Sequence, residues 1–175
     1  MDYEINYSRR KTVSLCIKDG RLIVKAPIGF PRSKIESLVH SHSEWIEKNI
    51  EKEKQKADKL ASLTKDDITR LKKEAKMILP EKVKAFAEMM GLNYGRITIT
   101  SAKTRFGSCS SKKNLSFSYL LMLYPNEAID YVVVHELAHL VHMNHSPAFY
   151  KVIESVMPDY KERRKLLRHH NYKEG

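Results

Sequence analysis

Residues 135 to 145 read His-Glu-Leu-Ala-His-Leu-Val-His-Met-Asn-His. On a helix, His135 and His139 stand one turn apart on the same face, so both imidazoles can bind one Zn(II), while Glu136 lies beside them and can polarise a metal-bound water. The chemistry implied is metal-assisted hydrolysis. Tyr131-Val132-Val133-Val134 precedes the motif and Leu137, Ala138, Leu140 and Val141 run through it, so the charged groups sit inside a buried helix. A buried glutamate and two buried histidines need a partner, and a metal is the most economical one.

Zinc hydrolases usually supply three protein ligands and keep the fourth position for water, so a third donor must lie near by. His145 is favoured, six residues beyond His139. Metzincins place their third histidine at that distance after a sharp turn, with glycine at the position that His142 holds here. Asn144 tolerates left-handed angles and can make the bend instead. Ser146-Pro147 would then start a new helix, with Ser as N-cap and Pro at the first helical position. His142, three residues from His139, competes for the role, because an unbroken helix would bring it near the His135/His139 face and carry His145 away.

The elements that must position these groups can be read from periodicity. Residues 3 to 7, 11 to 17 and 21 to 26 read as short antiparallel strands, with Asp19-Gly20 as a two-residue hairpin turn. A helix follows from near Pro31, with Ile35, Leu38, Val39, His42, Trp45, Ile46 and Ile50 at helical spacing; beyond residue 50 it becomes a solvated helix end or linker. A second long helix runs from Thr64 to Gly91, kinked or divided at Pro80, with Met77, Leu79, Val83, Phe86, Met89 and Met90 as core residues. Strands are expected over 96–100 and 115–119, separated by a loop containing Gly107 to Ser111, and one of the two strands is the expected edge for an extended peptide. The motif helix starts at an Asn126 N-cap and extends to about Met143. A helix from Ala148 to Val156 and a basic one from Tyr160 to His170 complete the chain. The expected organisation is α+β, with residues 1–60 as an N-terminal sheet and linking helix and residues 61–175 as a metal-binding catalytic domain.

Composition bounds the class. The 175 residues are 42% hydrophobic, enough for a core, and no apolar run approaches the roughly 20 residues of a membrane span. The N-terminus lacks a secretory signal and only Cys16 and Cys109 are present, which suits the cytoplasm. The net charge of +11 is concentrated before residue 35 and after residue 160, a field that would attract nucleic acid, nucleotides or acidic proteins, although a solvated basic surface is the commoner meaning. Replacing Arg163, Arg164 and Lys165 of the basic tail, well beyond the ligand segment, is expected to leave metal content unchanged. Cys109 reads either as a small buried residue or as a nucleophile or fourth ligand.

The run Lys103-Thr104-Arg105-Phe106-Gly107-Ser108-Cys109-Ser110-Ser111, then Asn114 to Phe117, Ile129 to Leu140 and His142 to Phe149, resembles the YgjP-like metallopeptidase family, a relative of the SprT-like and WLM zincins. The likeness is densest over 96–160. It implies a zincin-like metallohydrolase fold, with His135, His139 and His145 holding one Zn(II) per chain and Glu136 as general base. This chain has Phe106 where the family usually has Trp, and Leu120 after Tyr119 where the family has Arg, a departure that bears on substrate class and not on metal binding. Arg105, Tyr119 and His142 lie in the matching segments or beside the ligands and are candidates for substrate or transition-state contacts. A peptide is the expected substrate. A nucleoside triphosphate cleaved by the same chemistry is the alternative, and a nucleic-acid- or protein-associated module with a structural metal is the third reading.

Overall fold

Alternating apolar residues in three short segments of the first 30 make strands, and their pairing is what sequence cannot state. The computed structural model describes residues 2–18 and 20–167. Strands β1 (Tyr3–Ser8), β2 (Ser14–Lys18) and β3 (Arg21–Pro27) form one sheet in the order β1-β3-β2. β2 and β3 are the expected antiparallel hairpin, with Lys18 opposite Arg21 and Gly20 at φ +72° in its turn; Asp19 lies outside the described residues. β1 corrects the antiparallel expectation: it pairs parallel to β3, Tyr3 opposite Leu22 through Ser8 opposite Pro27. The five residues between β1 and β2 are long enough to cross over β3, whose paired width is about 10 Å.

The predicted helix from Pro31 is two helices, α1 (Arg32–Ser41) and α2 (Ser43–Ala61), joined at His42. The His42 ring turns back on its own backbone, Nδ1 2.9 Å from the Leu38 carbonyl and 3.0 Å from Ser41 Oγ, so it is an ordinary junction residue. Leu22, Val24 and Ala26 of β3 bury one face against Ile35, Val39 and Ile46, whereas Trp45, which shares their helical spacing, is 45% exposed. The charged stretch beyond residue 50 is helical to Ala61.

The chain divides into two compact units, Met1–Leu63 and Thr64–Gly175. In the second, α3 (Lys65–Met90) begins at a reciprocal cap: Asp67 N–H donates to Thr64 Oγ1 at 3.1 Å, and Thr64 N–H donates to the Asp67 carboxylate. It ends at Gly91, in the left-handed conformation at φ 64°. Pro80 does not divide it. The carbonyl that Pro80 leaves unmatched belongs to exposed Lys76 and can turn to solvent, so the helix continues. The buried stripe is Leu71, Ala75, Leu79, Val83 and Ala87; Met77 and Met89, expected as core, face outward at 64% and 68% exposure.

Strands β4 (Ile97–Thr100), β5 (Gly107–Cys109) and β6 (Leu115–Ser118) make the second sheet in the order β4-β6-β5. β6 is central, parallel to β4 and antiparallel to β5. The expected loop therefore contains a strand, and its turn is closed by Lys113 at φ 61°. β6 cannot be the substrate edge, because both its sides are paired; the edges are β4 and β5. Past a 3₁₀ turn (Tyr119–Leu123) the motif helix α4 spans Asn126–Ala138, with Pro125 rather than Asn126 as N-cap and every residue from Ala128 onward buried except Asp130. Helices α5 (Pro147–Val156) and α6 (Tyr160–Leu167) follow. Arg168, Lys173 and the expected last turn to His170 lie outside the described residues.

Asp130 is the exception on α4 because it is an ion-pair hub. It accepts Lys82 Nζ of α3 at 2.6 Å, and Arg163 of α6 lies 3.5 Å away while also holding Asp159 at 2.9 Å. Among the described residues, no helix is long and apolar enough to cross a membrane.

Candidate metal centre

α4 ends at Ala138, five residues before the expected end near Met143. The backbone tightens at the second histidine, with Leu140 N–H bonded to Leu137 O and Val141 N–H to Ala138 O, both at 3.0 Å and both three residues back. His139 becomes the C-cap, and the chain turns without the left-handed Asn144 that the sequence suggested, since Lys113 is the one described non-glycine residue with positive φ. Ser146 then caps α5 as expected, its Oγ accepting from Phe149 N at 3.4 Å, with Pro147 at the first helical position.

This break returns His145 to the other two rings. His135 Nε2 and His145 Nε2 are 3.1 Å apart, and one ligand nitrogen from each of His135, His139 and His145 lies within 4.8 Å of the others. Tetrahedral Zn–N bonds of 2.0–2.1 Å put imidazole nitrogens about 3.3 Å apart, so the trio fits such an ion after small adjustments. His142 joins by its backbone and not its ring. Its carbonyl lies 3.0 Å from His139 Nδ1, and since a carbonyl can only accept, that nitrogen carries the proton and Nε2 is left with its lone pair. Cys109 and Glu136 are not members of the ligand cluster.

The rings are held from below. Phe149, fully buried on α5, has its centroid 4.9, 4.6 and 4.9 Å from those of His135, His139 and His145. Tyr131, one turn before His135, brings its hydroxyl to 3.4 Å from His135 Nδ1. His145 stacks on Tyr150, which stacks on Tyr160 of α6. Burial pushes the His135 imidazole down to about 2, helped by its two histidine neighbours and by Arg164, so it is neutral, the form that ligates. The basic tail is distant from the motif in sequence but not in space: α6 packs against α4, and the charge of Arg164 is felt at His135.

Glu136 is fully buried and faces β5. Its charge, after burial, is the second cause that pushes the Cys109 thiol up to about 11, so Cys109 is a protonated neighbour and not an activated nucleophile. Arg105 is exposed, in an open cleft shared with Thr100, Ser108, Ser116 and Ser118 and bordered by Gly107. Tyr119 is buried, with Lys72 Nζ 5.4 Å from its ring centre.

Three contributors went unread in the sequence: Phe149, Tyr131 and Gly107. Tyr131 carried a signal in its four-residue spacing before His135. Gly107 carried none, since its segment shows no apolar alternation and reads as a loop.

The metallopeptidase zymogen abylysin of Pyrococcus abyssi superposes with a TM-score of 0.51 at 19% identity, over 56% of this chain and 100% of that one, and so shares its fold. The metallopeptidase zymogen jannalysin of Methanocaldococcus jannaschii matches with a TM-score of 0.46 at 22% identity, over 51% of this chain and 94% of that one. No curated protein matches. Residues 11–69 and 55–170 match the profile of the YgjP-like metallopeptidase domain, and the chain, an α+β protein, belongs to that family.

Proposed function

We propose that the chain is a zinc-dependent peptidase holding one Zn(II) on His135, His139 and His145, with Glu136 as its general base. The observation that carries the reading is the convergence of three imidazole nitrogens within 4.8 Å beside one fully buried glutamate. Zinc, when bound, supplies Lewis acidity, acidifying water and polarising a scissile carbonyl. The chain's own residues do the rest. Glu136 takes a proton from the attacking water at its carboxylate and returns it to the leaving amine, and its walled position excludes bulk solvent from that exchange. The His142 carbonyl holds His139 in the ligating tautomer. An extended peptide would add to the outer edge of β5, the strand whose face Glu136 packs against, with Arg105 within the adjoining cleft to hold a carbonyl or an anionic side chain. The same base would serve a nucleoside triphosphate, a substrate that the net charge of +11 would also suit.

Metal analysis tests the ligand set. His135→Ala, His139→Ala and His145→Ala should each lose the zinc, while His142→Ala, which keeps its carbonyl, and Glu136→Gln should retain it. Full occupancy in His145→Ala together with loss in His142→Ala would transfer the third-ligand role to His142.

A further inference from the structure

A glycine is needed either for its backbone freedom or for its missing side chain. Gly107 is of the second kind. The glycines with positive φ are Gly20, Gly29 and Gly91, so the backbone at 107 is one that any residue can adopt. Space is the constraint: a Cβ at Gly107 would overlap Glu136 Oε1 and stand 2.6 Å from Cγ and 2.7 Å from Cδ, all inside van der Waals contact. Glu136 has nowhere cheap to move. It is fully buried on a helix whose neighbouring side chains are also buried, and packed interiors resist added volume.

We propose that Gly107 is a positioning residue for Glu136: its bare Cα leaves a slot in the edge strand, and the carboxylate-bearing side chain fills that slot and is fixed by it. Cys109, two residues along and so on the same face of β5, extends the wall, which is why the Glu136 charge reaches its thiol. The strand that would carry a substrate backbone therefore touches the base directly, and a displacement of either moves the other. For turnover this rests on Glu136 being the base; the slot itself is a matter of shape and is tested separately.

The test is Gly107→Ala made with Glu136 in place and again with Glu136→Ala, reading zinc content, the thermal midpoint of the metal-free protein, and kcat and KM for a peptide that the wild type cleaves. With Glu136 present, Gly107→Ala should keep its zinc and lower the midpoint by several degrees. It should reduce kcat about 10²-fold while KM moves by no more than about threefold, as expected for a base displaced by about 1 Å. In the Glu136→Ala background the same substitution should leave the midpoint unchanged or raise it, because the added methyl enters vacated space. Glu136→Asp, one methylene shorter, should recover part of the lost kcat in Gly107→Ala while lowering kcat when Gly107 is intact. An equal fall in midpoint in both backgrounds would overturn the slot, as would a Gly107→Ala protein with unchanged midpoint and kcat. Should Gly107→Ala fail to fold, folding of the double variant supports the proposal and its failure overturns it. An active Glu136→Gln protein would refute the base assignment alone, leaving the midpoint comparison to judge the slot.

Discussion

His142 and His145 compete in the sequence for one role, and the structure brings a different group of each to the other histidines. His145 offers a ring nitrogen 3.1 Å from that of His135, while His142 offers a carbonyl to His139. That His135, Glu136 and His139 would share one buried stretch was legible because four-residue spacing on an apolar helix leaves few alternatives. The backbone role of His142 was not legible, because carbonyl direction depends on where α4 unwinds. Cys109 makes a test at this scale. Its thiol is raised to about 11 by burial and then by Glu136, so the thiolate is scarce at neutral pH and grows as pH rises toward that value. Alkylation of Cys109 at pH 8, followed by mass spectrometry, should run about 10²-fold slower than that of an ordinary thiol with a pKa near 8.5. Glu136→Gln, which removes the lesser cause, should speed it only modestly. A Cys109 that alkylates as fast as a denatured-chain thiol would contradict the half-buried placement beside Glu136.

Elements were legible where periodicity persists over many residues, as in α3 and β2–β3, and illegible where pairing or a local break decides. β5 is three residues, Gly-Ser-Cys, with no apolar alternation, and reads as a loop until β6 pairs with it. β1 looked like any antiparallel strand, since its side chains alternate in the same way beside a parallel neighbour. The apolar run past Ala138 gave no sign that α4 stops there, for the turn uses neither glycine nor a left-handed asparagine. Ser146 was legible as a cap, and it matters more than an exposed cap would, because the helix it starts presents Phe149 to all three imidazoles. Ser146→Ala should therefore cost about 1 kcal/mol and lower the thermal midpoint by a few degrees, and Ser146→Asp should restore most of it. An unchanged midpoint in both would show that the long 3.4 Å contact carries no stability.

Over the whole molecule, charge is less free than its total suggests. Arg163 is shared between Asp130 and Asp159, Lys165 is held by Glu162 at 2.7 Å, and the charge of Arg164 is felt at His135. A basic tail in sequence is thus partly a structural strut, and the remaining positive field is what a nucleotide, a nucleic acid or an acidic peptide would meet. Any binding driven by that field should weaken as salt is raised. Family membership and the histidine cluster speak for hydrolysis at a metal, and the substrate is where the account is most exposed. The most direct measurement is product analysis by mass spectrometry, using zinc-loaded protein on a mixed panel of unfolded polypeptides, short peptides and nucleoside triphosphates at low and moderate salt, with Glu136→Gln alongside. The prediction is peptide-bond cleavage by the wild type, slowed by about two to four orders of magnitude in the zinc-retaining Gln variant. Cleavage of the triphosphates with the peptides left intact, or peptide cleavage that survives Glu136→Gln undiminished, would contradict it.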